Sequence, residues 1–354
     1  MIKVSWVNSF LLSPLARVYD LATSVRNWLY DVEILSSYTS KVPVVCIGNI
    51  TAGGNGKTPL CVFVVRELRD RGRRPVILSR GYGGRKRGPY LVVGGDSPCD
   101  VGDEAILMSR QSEVPVVVSR SRVAGARFIE AHNLGDVIVL DDGFQHRALN
   151  RNVNIVSLFA GSEEAIDAFC AGELLPAGRF RENRVAGLRR ASSVVISYRR
   201  VLSPSEELAP VSPTLLSLLP PGIGVFRASM EFVDVRSCLN GDVIPAQRVH
   251  ALAAIANPEG FFMSLEQVGF TVERRHVFPD HHAFSEVELR DLIATHPDTI
   301  FVCTEKDGVK IRAINRDLAS AFAEFRVRLK VTPSDSFIVS IMREIQPRSG
   351  AKNG

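Results

Sequence analysis

The sequence predicts an α/β fold in which a mostly parallel sheet carries helices on both faces. Five continuous apolar segments of strand length recur in its first two hundred residues, at 75–79, 115–119, 136–140, 153–158 and 193–197. Segments with helical spacing of apolar residues lie between several of them. Strands that are apolar on both sides are buried, and their alternation with helices is typical of a parallel sheet. Ligands bind such sheets beyond the carboxyl ends of the strands, so the residues after each strand are candidates for chemistry.

Residues 42–58, VPVVCIGNITAGGNGKT, combine a strand, a glycine-rich turn and the start of a helix. The helical spacing continues through Leu60, Val64 and Leu68. Elements in this order form a P-loop, in which backbone N–H groups and a helix N-terminus surround phosphate oxygens. The predicted nucleotide-binding residues are Thr51, Ala52, Gly53, Gly54, Asn55, Gly56, Lys57 and Thr58.

Lys57 is expected to contact the β- and γ-phosphates of a nucleoside triphosphate, and the Thr58 hydroxyl to bind Mg²⁺. The usual P-loop pattern has glycine where this chain has Thr51. The alternative is a glycine-rich turn without a ligand, but that interpretation offers no packing reason for a Lys-Thr pair at the start of a helix. The sequence therefore predicts a P-loop NTPase-like sheet.

Asp141 and Asp142 follow the predicted strand at 136–140 and precede Gly143. A strand that ends in carboxylates beside a P-loop is typical of a Walker B element, which binds Mg²⁺ directly or through water. A solvated turn is the alternative. We predict that the pair belongs to a magnesium site, and the sequence leaves open which carboxylate contacts the ion.

Length and composition predict about two domains, because 354 residues with 45% hydrophobic content bury more than one core. The net charge of +5 favours anionic partners: nucleotides, acidic lipid headgroups or nucleic acid. The six cysteines lack C-x-x-C spacing and most lie in apolar segments, which predicts mostly buried thiols in a reducing compartment and no zinc site. The predicted division is an N-terminal membrane-interface helix at 1–30, a P-loop domain at 31–202, a linker at 203–226, a smaller α/β domain at 227–345 and a tail at 346–354.

The N-terminal segment predicts an amphipathic helix that starts with Ser13 as N-cap and Pro14 at the first helical position. The uncharged stretch at 4–16 is too short to span a bilayer, which needs about 20 residues. Apolar residues from Leu15 onward recur at a/d-like spacing. This stripe either packs against the protein's own core or lies in a membrane interface, and the residues alone leave both open.

Three further polar clusters are candidates for chemistry. Asp103 opens a predicted helix, where a capping role competes with a catalytic one. Asp280 precedes His281 and His282 at a proline turn, which favours an acid–base or orienting role. The segment at 304–307, Thr-Glu-Lys-Asp, follows another predicted strand.

Together these segments resemble the tetraacyldisaccharide 4'-kinase family, the lipid A 4'-kinases. The matching strings, in family order, are GNITAGGNGKTP (48–59), SRGYGG (79–84), VGDE (101–104), LDDGFQH (140–146), LLPAGRFRE (174–182), IANPEGFF (255–262), FPDHHAF (278–284) and TEKDGVK (304–310). The chain departs from the family pattern at Arg179, Phe180 and Asn183, and it lacks the usual acid in the strand before this motif.

The resemblance implies transfer of the γ-phosphate of ATP, with Mg²⁺, to the 4'-hydroxyl of an acylated glucosamine disaccharide 1-phosphate. The product is the 4'-phosphorylated lipid A precursor. It also implies a peripheral enzyme on the cytoplasmic face of the bacterial inner membrane, held at the membrane surface by its N-terminal helix, with no nucleic acid and no obligate protein partner.

The resemblance further implies roles for individual residues. Asp103 corresponds to the general base, assisted by His281. Lys57 and Thr58 act on phosphates and Mg²⁺ together with Asp141 and Asp142. The residues expected at the substrate or transition state are Arg122, Gln145, His146, Arg181 and Glu182.

Two other functions compete with this interpretation. A soluble P-loop kinase or ligase for a polar small molecule would not depend on lipid. A GTPase-like regulator or nucleic-acid-binding protein would require a guanine-reading N-K-x-D string, and the nearest string at 304–307 lacks the asparagine. The basic loops also lack the interleaved aromatic residues that stack bases.

Overall fold

In a computed structural model, the chain is described over residues 6–53, 56–202, 206 and 208–346. The strands of these residues are β1 (Val44–Gly48), β2 (Pro75–Ser79), β3 (Tyr90–Leu91), β4 (Val116–Val118), β5 (Val137–Asp141), β6 (Val153–Phe159), β7 (Ser193–Leu202), β8 (Gly224–Ser237), β9 (Arg248–Ala253), β10 (Thr271–Val277), β11 (Phe301–Thr304) and β12 (Phe322–Thr332). The α-helices are α1 (Trp6–Asp31), α2 (Lys57–Asp70), α3 (Pro98–Val101), α4 (Asp103–Ser112), α5 (Arg122–Ala131), α6 (Glu163–Ala171), α7 (Arg184–Arg189), α8 (Pro213–Ser217), α9 (Pro258–Gln267), α10 (Glu286–Thr295), α11 (Glu305–Ile314) and α12 (Ser334–Ile345).

The described strands form one sheet in the order β10-β9-β11-β12-β8-β7-β6-β1-β5-β2-β4-β3. Neighbours pair in parallel except at β3–β4 and β8–β12. The predicted α/β fold with a mostly parallel sheet is therefore confirmed. Strand β1 lies between β6 and β5, which brings the P-loop beside the end of the strand that carries Asp141.

Helices cover both faces of this sheet because alternate residues of a strand point to opposite sides. Val45 and Ile47 of β1 pack into a core with α2, α4 and α12. Val44 and Cys46 pack into a second core with α5 and the ring of Phe144. The central strand is thus buried on both sides, which explains its continuous apolar sequence.

The sheet continues across the predicted linker, since β7 and β8 are parallel neighbours with Ser193 opposite Gly224. Of the predicted linker, residues 203–205 and 207 lie outside the described part of the chain, as do residues 1–5 of the predicted first helix and 347–354 of the predicted tail. The division into domains remains a prediction.

Helix α1 begins at Trp6 and contains Pro14, so the predicted helix start at Ser13 and Pro14 was wrong. Proline in a helix interior removes one backbone hydrogen bond, but the uncharged residues before it continue the helix. None of the described helices combines the length and apolar character needed to cross a bilayer.

Candidate active site

The P-loop joins β1 to α2 with a backbone that requires glycine. Gly53 has φ of +108° and Gly56, the N-cap of α2, has φ of +72°. None of the described side chains caps the N-terminus of α2, and its first turn contains no acidic residue. The first amide groups of this helix are therefore available to an anion. The predicted Gly54 and Asn55 lie outside the described residues.

The first half of this loop is held by backbone contacts with residues 179–181. Ala52 N donates to the Arg179 carbonyl at 2.7 Å, and Arg181 N donates to the Ile50 carbonyl at 2.8 Å. Thr51 forms an antiparallel bridge with Phe180. The arginine-rich motif at 174–182 is thus part of the P-loop's support, and it also brings the Arg181 side chain to the site.

Asp142 holds two cations at the mouth of the P-loop. Its Oδ1 lies 3.6 Å from Lys57 Nζ and 3.2 Å from Arg181 Nη1. Asp142 has φ of +47°, a left-handed conformation that turns the chain directly after β5. One carboxylate therefore orients a lysine and an arginine, the two kinds of side chain that neutralise transferring phosphates.

Asp141 is buried next to Asp142, and one of its carboxylate oxygens is free to bind a metal ion. Its Oδ2 accepts a long hydrogen bond from Ser79 Oγ at 3.5 Å, while Oδ1 has no partner among the described atoms. Burial, with repulsion from Glu104 and Asp142, raises the pKa of Asp141 to about 7. A buried carboxylate in this state favours a bound cation, and carboxylate and hydroxyl oxygens are ligands that Mg²⁺ prefers. Asp141 and the Thr58 hydroxyl thus fit a magnesium ion.

Asp103, His281 and Lys306 form a chain of contacts on the other side of the cleft. His281 Nδ1 lies 3.3 Å from Asp103 Oδ2, and Lys306 Nζ lies 3.2 Å from His281 Nε2. An ammonium group can only donate, so Nε2 accepts and the ring proton resides on Nδ1, facing Asp103. The imidazole is thereby held in one tautomer. The Tyr82 ring packs at 5.6 Å from the His281 ring.

Arg122, which is buried, and His146, which is half-buried, contribute polar groups next to the Walker B turn. Arg122 is 1% exposed and donates Nη1 to the Ser119 carbonyl at 3.0 Å, while its Nε has no described partner. Burial is the largest cause that lowers the pKa of Arg122. Burial, followed by the charge of Arg122, lowers the pKa of His146 to about 4, so this imidazole is neutral at physiological pH.

Gln145 and Glu182 connect the site to α1. Glu182 Oε1 accepts from Gln145 Nε2 at 3.0 Å, and its Oε2 accepts from Arg190 Nη2 at 2.6 Å and Asn27 Nδ2 at 3.2 Å. Gln145 Nε2 also donates to the Asn49 carbonyl at 2.8 Å. Glu182 is 2% exposed, and these contacts occupy both of its carboxylate oxygens.

The polar side of helix α1 contacts the rest of the protein, and its apolar side is exposed. Tyr19 Oη donates to the Arg181 carbonyl at 2.9 Å, and Arg26 Nη2 donates to the Gln145 carbonyl at 2.7 Å. The opposite side forms an exposed apolar stripe of Leu15 (58% exposed), Val18 (65%), Leu21 (65%), Val25 (46%) and Trp28 (55%). Of the two interpretations left open by the sequence, packing of this stripe against the protein's own core is excluded.

Part of this set lines one cleft of about 1330 Å³, whereas Asp103, Arg122, Gln145, His146 and Glu182 are outside its lining. The predicted site residues that line it are Gly53, Gly56, Lys57, Thr58, Asp141, Asp142, Arg181 and His281. Lys306 also lines the cleft, although its sequence context indicated only a polar cluster after a strand. Its position after the carboxyl end of β11 is the signal that identifies it, because parallel strands present ligand-binding groups at that end.

Comparisons with known proteins agree with this arrangement. The profile of the family described as LpxK: Tetraacyldisaccharide-1-P 4'-kinase matches residues 8–346. The tetraacyldisaccharide 4'-kinase of Chlorobaculum parvum is 39% identical over 92% of this chain and 90% of its own length, and that of Shewanella amazonensis is 36% identical over 86% and 84%.

A solved structure extends the similarity to three dimensions. The crystal structure of LpxK from Aquifex aeolicus in complex with ATP superposes with a TM-score of 0.76 and 27% identity, and covers 95% of this chain and 99% of that one. Family profile, relatives and structure all span nearly the whole chain. This chain therefore belongs to the tetraacyldisaccharide 4'-kinase family.

Proposed function

We propose that this chain transfers the γ-phosphate of ATP to the 4'-hydroxyl of an acylated glucosamine disaccharide 1-phosphate, with Asp103 as general base and Mg²⁺ held at Asp141. One observation supports this most strongly. The P-loop lysine, the buried Asp141 carboxylate and His281 line one cleft, and Asp103 Oδ2 lies 3.3 Å from His281 Nδ1. Together these are the groups that phosphoryl transfer to an alcohol requires.

The phosphate side of the site acts by charge neutralisation. The transition state of phosphoryl transfer is loose, with charge spread over the transferring oxygens, so alignment and positive charge supply most of the rate. Lys57 and Arg181, held by Asp142 in the free protein, turn toward the phosphates when ATP enters. Mg²⁺, held by Asp141 and Thr58, would supply further positive charge there.

The acceptor side of the site removes a proton. The 4'-hydroxyl oxygen attacks the γ-phosphorus, the bond to the β-phosphate oxygen breaks, and ADP leaves. The hydroxyl proton passes to Asp103, whose carboxylate accepts it late in the reaction. The His281 Nδ1–H group donates a hydrogen bond to Asp103 Oδ2 at 3.3 Å and so orients that carboxylate.

Lys306 is a positioning residue in this mechanism, because it fixes the tautomer of His281 from the Nε2 side. We expect Lys306→Met to lower kcat about tenfold or more and to leave KM for ATP nearly unchanged. Lys306→Arg, which keeps a donor, restores part of the rate. Steady-state kinetics check this, and a variant that raises KM with kcat intact would assign Lys306 to nucleotide binding.

Helix α1 is the element that we expect to contact the membrane and the acylated substrate. Its apolar stripe faces away from the protein, while its polar side contacts residues adjoining the site, at Arg181, Gln145 and Glu182. A helix of this kind lies in the plane of a membrane interface. We propose that the enzyme is peripheral, on the cytoplasmic face of the bacterial inner membrane, and that α1 brings an acylated substrate beside the P-loop.

We expect the double substitution Leu21→Gln and Val25→Gln to reduce binding to phospholipid vesicles by at least tenfold. Each of these apolar side chains contributes about 1 kcal/mol or more when buried in lipid, and 1.4 kcal/mol is a tenfold change. The control is Val287→Gln with Val339→Gln, which removes exposed apolar side chains from α10 and α12. Cosedimentation with vesicles measures the effect, and equal binding of both double variants would exclude α1 as the membrane contact.

The proposed activity is tested with labelled ATP, Mg²⁺ and the acylated disaccharide 1-phosphate in mixed micelles. The expected product carries the label on the 4'-oxygen, located by mass spectrometry of the glycan. A deacylated disaccharide serves as the comparison. Phosphorylation of soluble acceptors with the lipid left unmodified would favour the rival function, a soluble small-molecule kinase.

A further inference from the structure

Three histidines from separate elements meet at the β10 edge of the sheet. His250 lies on β9, His276 on β10, and His296 at the C-cap of α10. Each has a ring nitrogen within 4.8 Å of a ring nitrogen on both of the others. His250 is buried and the other two are half-buried, and no step of the proposed reaction uses them.

The spacing of the ring nitrogens matches a tetrahedral metal site. His250 Nδ1 and His276 Nε2 are 3.3 Å apart. Zinc–nitrogen bonds of about 2.0–2.1 Å at tetrahedral angles separate two ligand nitrogens by about 3.3–3.4 Å. The nearest His296 nitrogen lies within 4.8 Å of the other two, and metal binding requires its ring at the end of α10 to move closer.

The chemical state of the cluster also suits a metal ion. Burial lowers the pKa of His250, and burial together with the neighbouring histidines lowers the pKa of His276 to about 4. Neutral imidazole is the form that binds metals, and the lowered pKa values of His250 and His276 favour that form. The nearby charge of Arg274 opposes a cation, and that of Glu273 favours one.

We propose that His250, His276 and His296 bind one divalent transition-metal ion, with zinc the ion that this ligand set fits best, and that water completes its coordination. Three imidazoles suit zinc, copper and nickel, whereas Mg²⁺ prefers oxygen ligands and is not expected here. The ion would join β10 to the end of α10. These two elements flank residues 278–284, the segment that carries His281, so the metal would stabilise the segment that positions this catalytic residue.

The test uses the full chain without a histidine tag, stripped of metal and titrated with Zn²⁺ against a chromophoric chelator. Saturating Mg²⁺ is present throughout, so that the carboxylates of the active site are occupied. We expect one Zn²⁺ per chain and a rise in the unfolding temperature. Substitution of Co²⁺ should give the visible absorption of a tetrahedral site.

The variants His276→Gln and His296→Gln each remove one half-buried ligand. We expect each to weaken Zn²⁺ binding by at least about 100-fold, since even loss of an outer-shell partner costs 10–100-fold. His132→Gln, at an exposed histidine after α5, is the matched control and keeps wild-type affinity. Circular dichroism confirms that the variants fold. Absence of stoichiometric binding in the wild type, or affinity unchanged in both ligand variants, would overturn the proposal.

Discussion

Replacing Asp103 with asparagine lowers kcat by about 10²–10⁴-fold, the usual contribution of a general base, while KM for ATP changes little. Asparagine keeps the size of the side chain and can still accept the 2.9 Å hydrogen bond from Glu104 N at the start of α4, but it cannot accept the proton of the attacking hydroxyl. Asp103 is 8% exposed, its carboxylate lies 3.3 Å from His281 Nδ1, and it is not part of the P-loop that binds phosphate. The effect therefore falls on the chemical step and spares nucleotide binding.

The matched control is Glu163→Gln, an exposed carboxylate in the first turn of α6 that is not among the residues lining the cleft. That variant keeps wild-type kcat and KM. Single-turnover measurements separate chemistry from product release. Equal single-turnover rates for Asp103→Asn and the wild type would remove Asp103 from proton transfer and leave it the capping role that its place on α4 also allows.

The sequence predicted the phosphate side of this site better than the acceptor side. The P-loop and Walker B residues lie directly after β1 and β5, so a local pattern of strand, turn and helix is enough to identify them. The contact of Asp103 with His281 joins α4 to the turn after β10, and no spacing within the chain encodes it. The residue patterns made Asp103 and His281 separate candidates for chemistry, and only the resemblance to a known family paired them.

Other features were missed for related reasons. Strand β12 alternates apolar residues with Glu324, Arg326 and Lys330, because it is half-exposed and runs antiparallel to β8. A search for continuous apolar segments does not detect such a strand. Lys306 and the three histidines at the sheet edge depend on which strands are neighbours, a property of sheet order that the sequence pattern leaves undetermined.

Replacing Asp141 with asparagine should abolish most activity and yet stabilise the protein when nucleotide and metal are absent. The folded protein holds the pKa of this carboxyl at about 7, against an ordinary value near 3.8. Between these values the folded state binds the proton more tightly than the unfolded state, so stability falls as pH rises from about 4 to about 7. Above that range the wild type carries a buried charge whose only hydrogen bond among the described residues is the long one from Ser79 Oγ.

The Asp141→Asn variant carries no such charge, and we expect it to exceed the wild type by about 2–4 kcal/mol in free energy of unfolding near pH 8, with the difference shrinking toward pH 4. Denaturant unfolding across this pH range, without Mg²⁺ or ATP, measures this difference, and Asp291→Asn, at an exposed position of α10, is the control.

Mg²⁺–ATP should stabilise the wild type much more than the variant, whose kcat falls by at least about 10²-fold. A wild-type stability that does not fall between about pH 4 and 8 would contradict the raised pKa. The variant would thus gain stability and lose activity. Substitution of an aspartate that stabilises the fold would lower both, so the two opposite changes identify Asp141 as a ligand-binding residue.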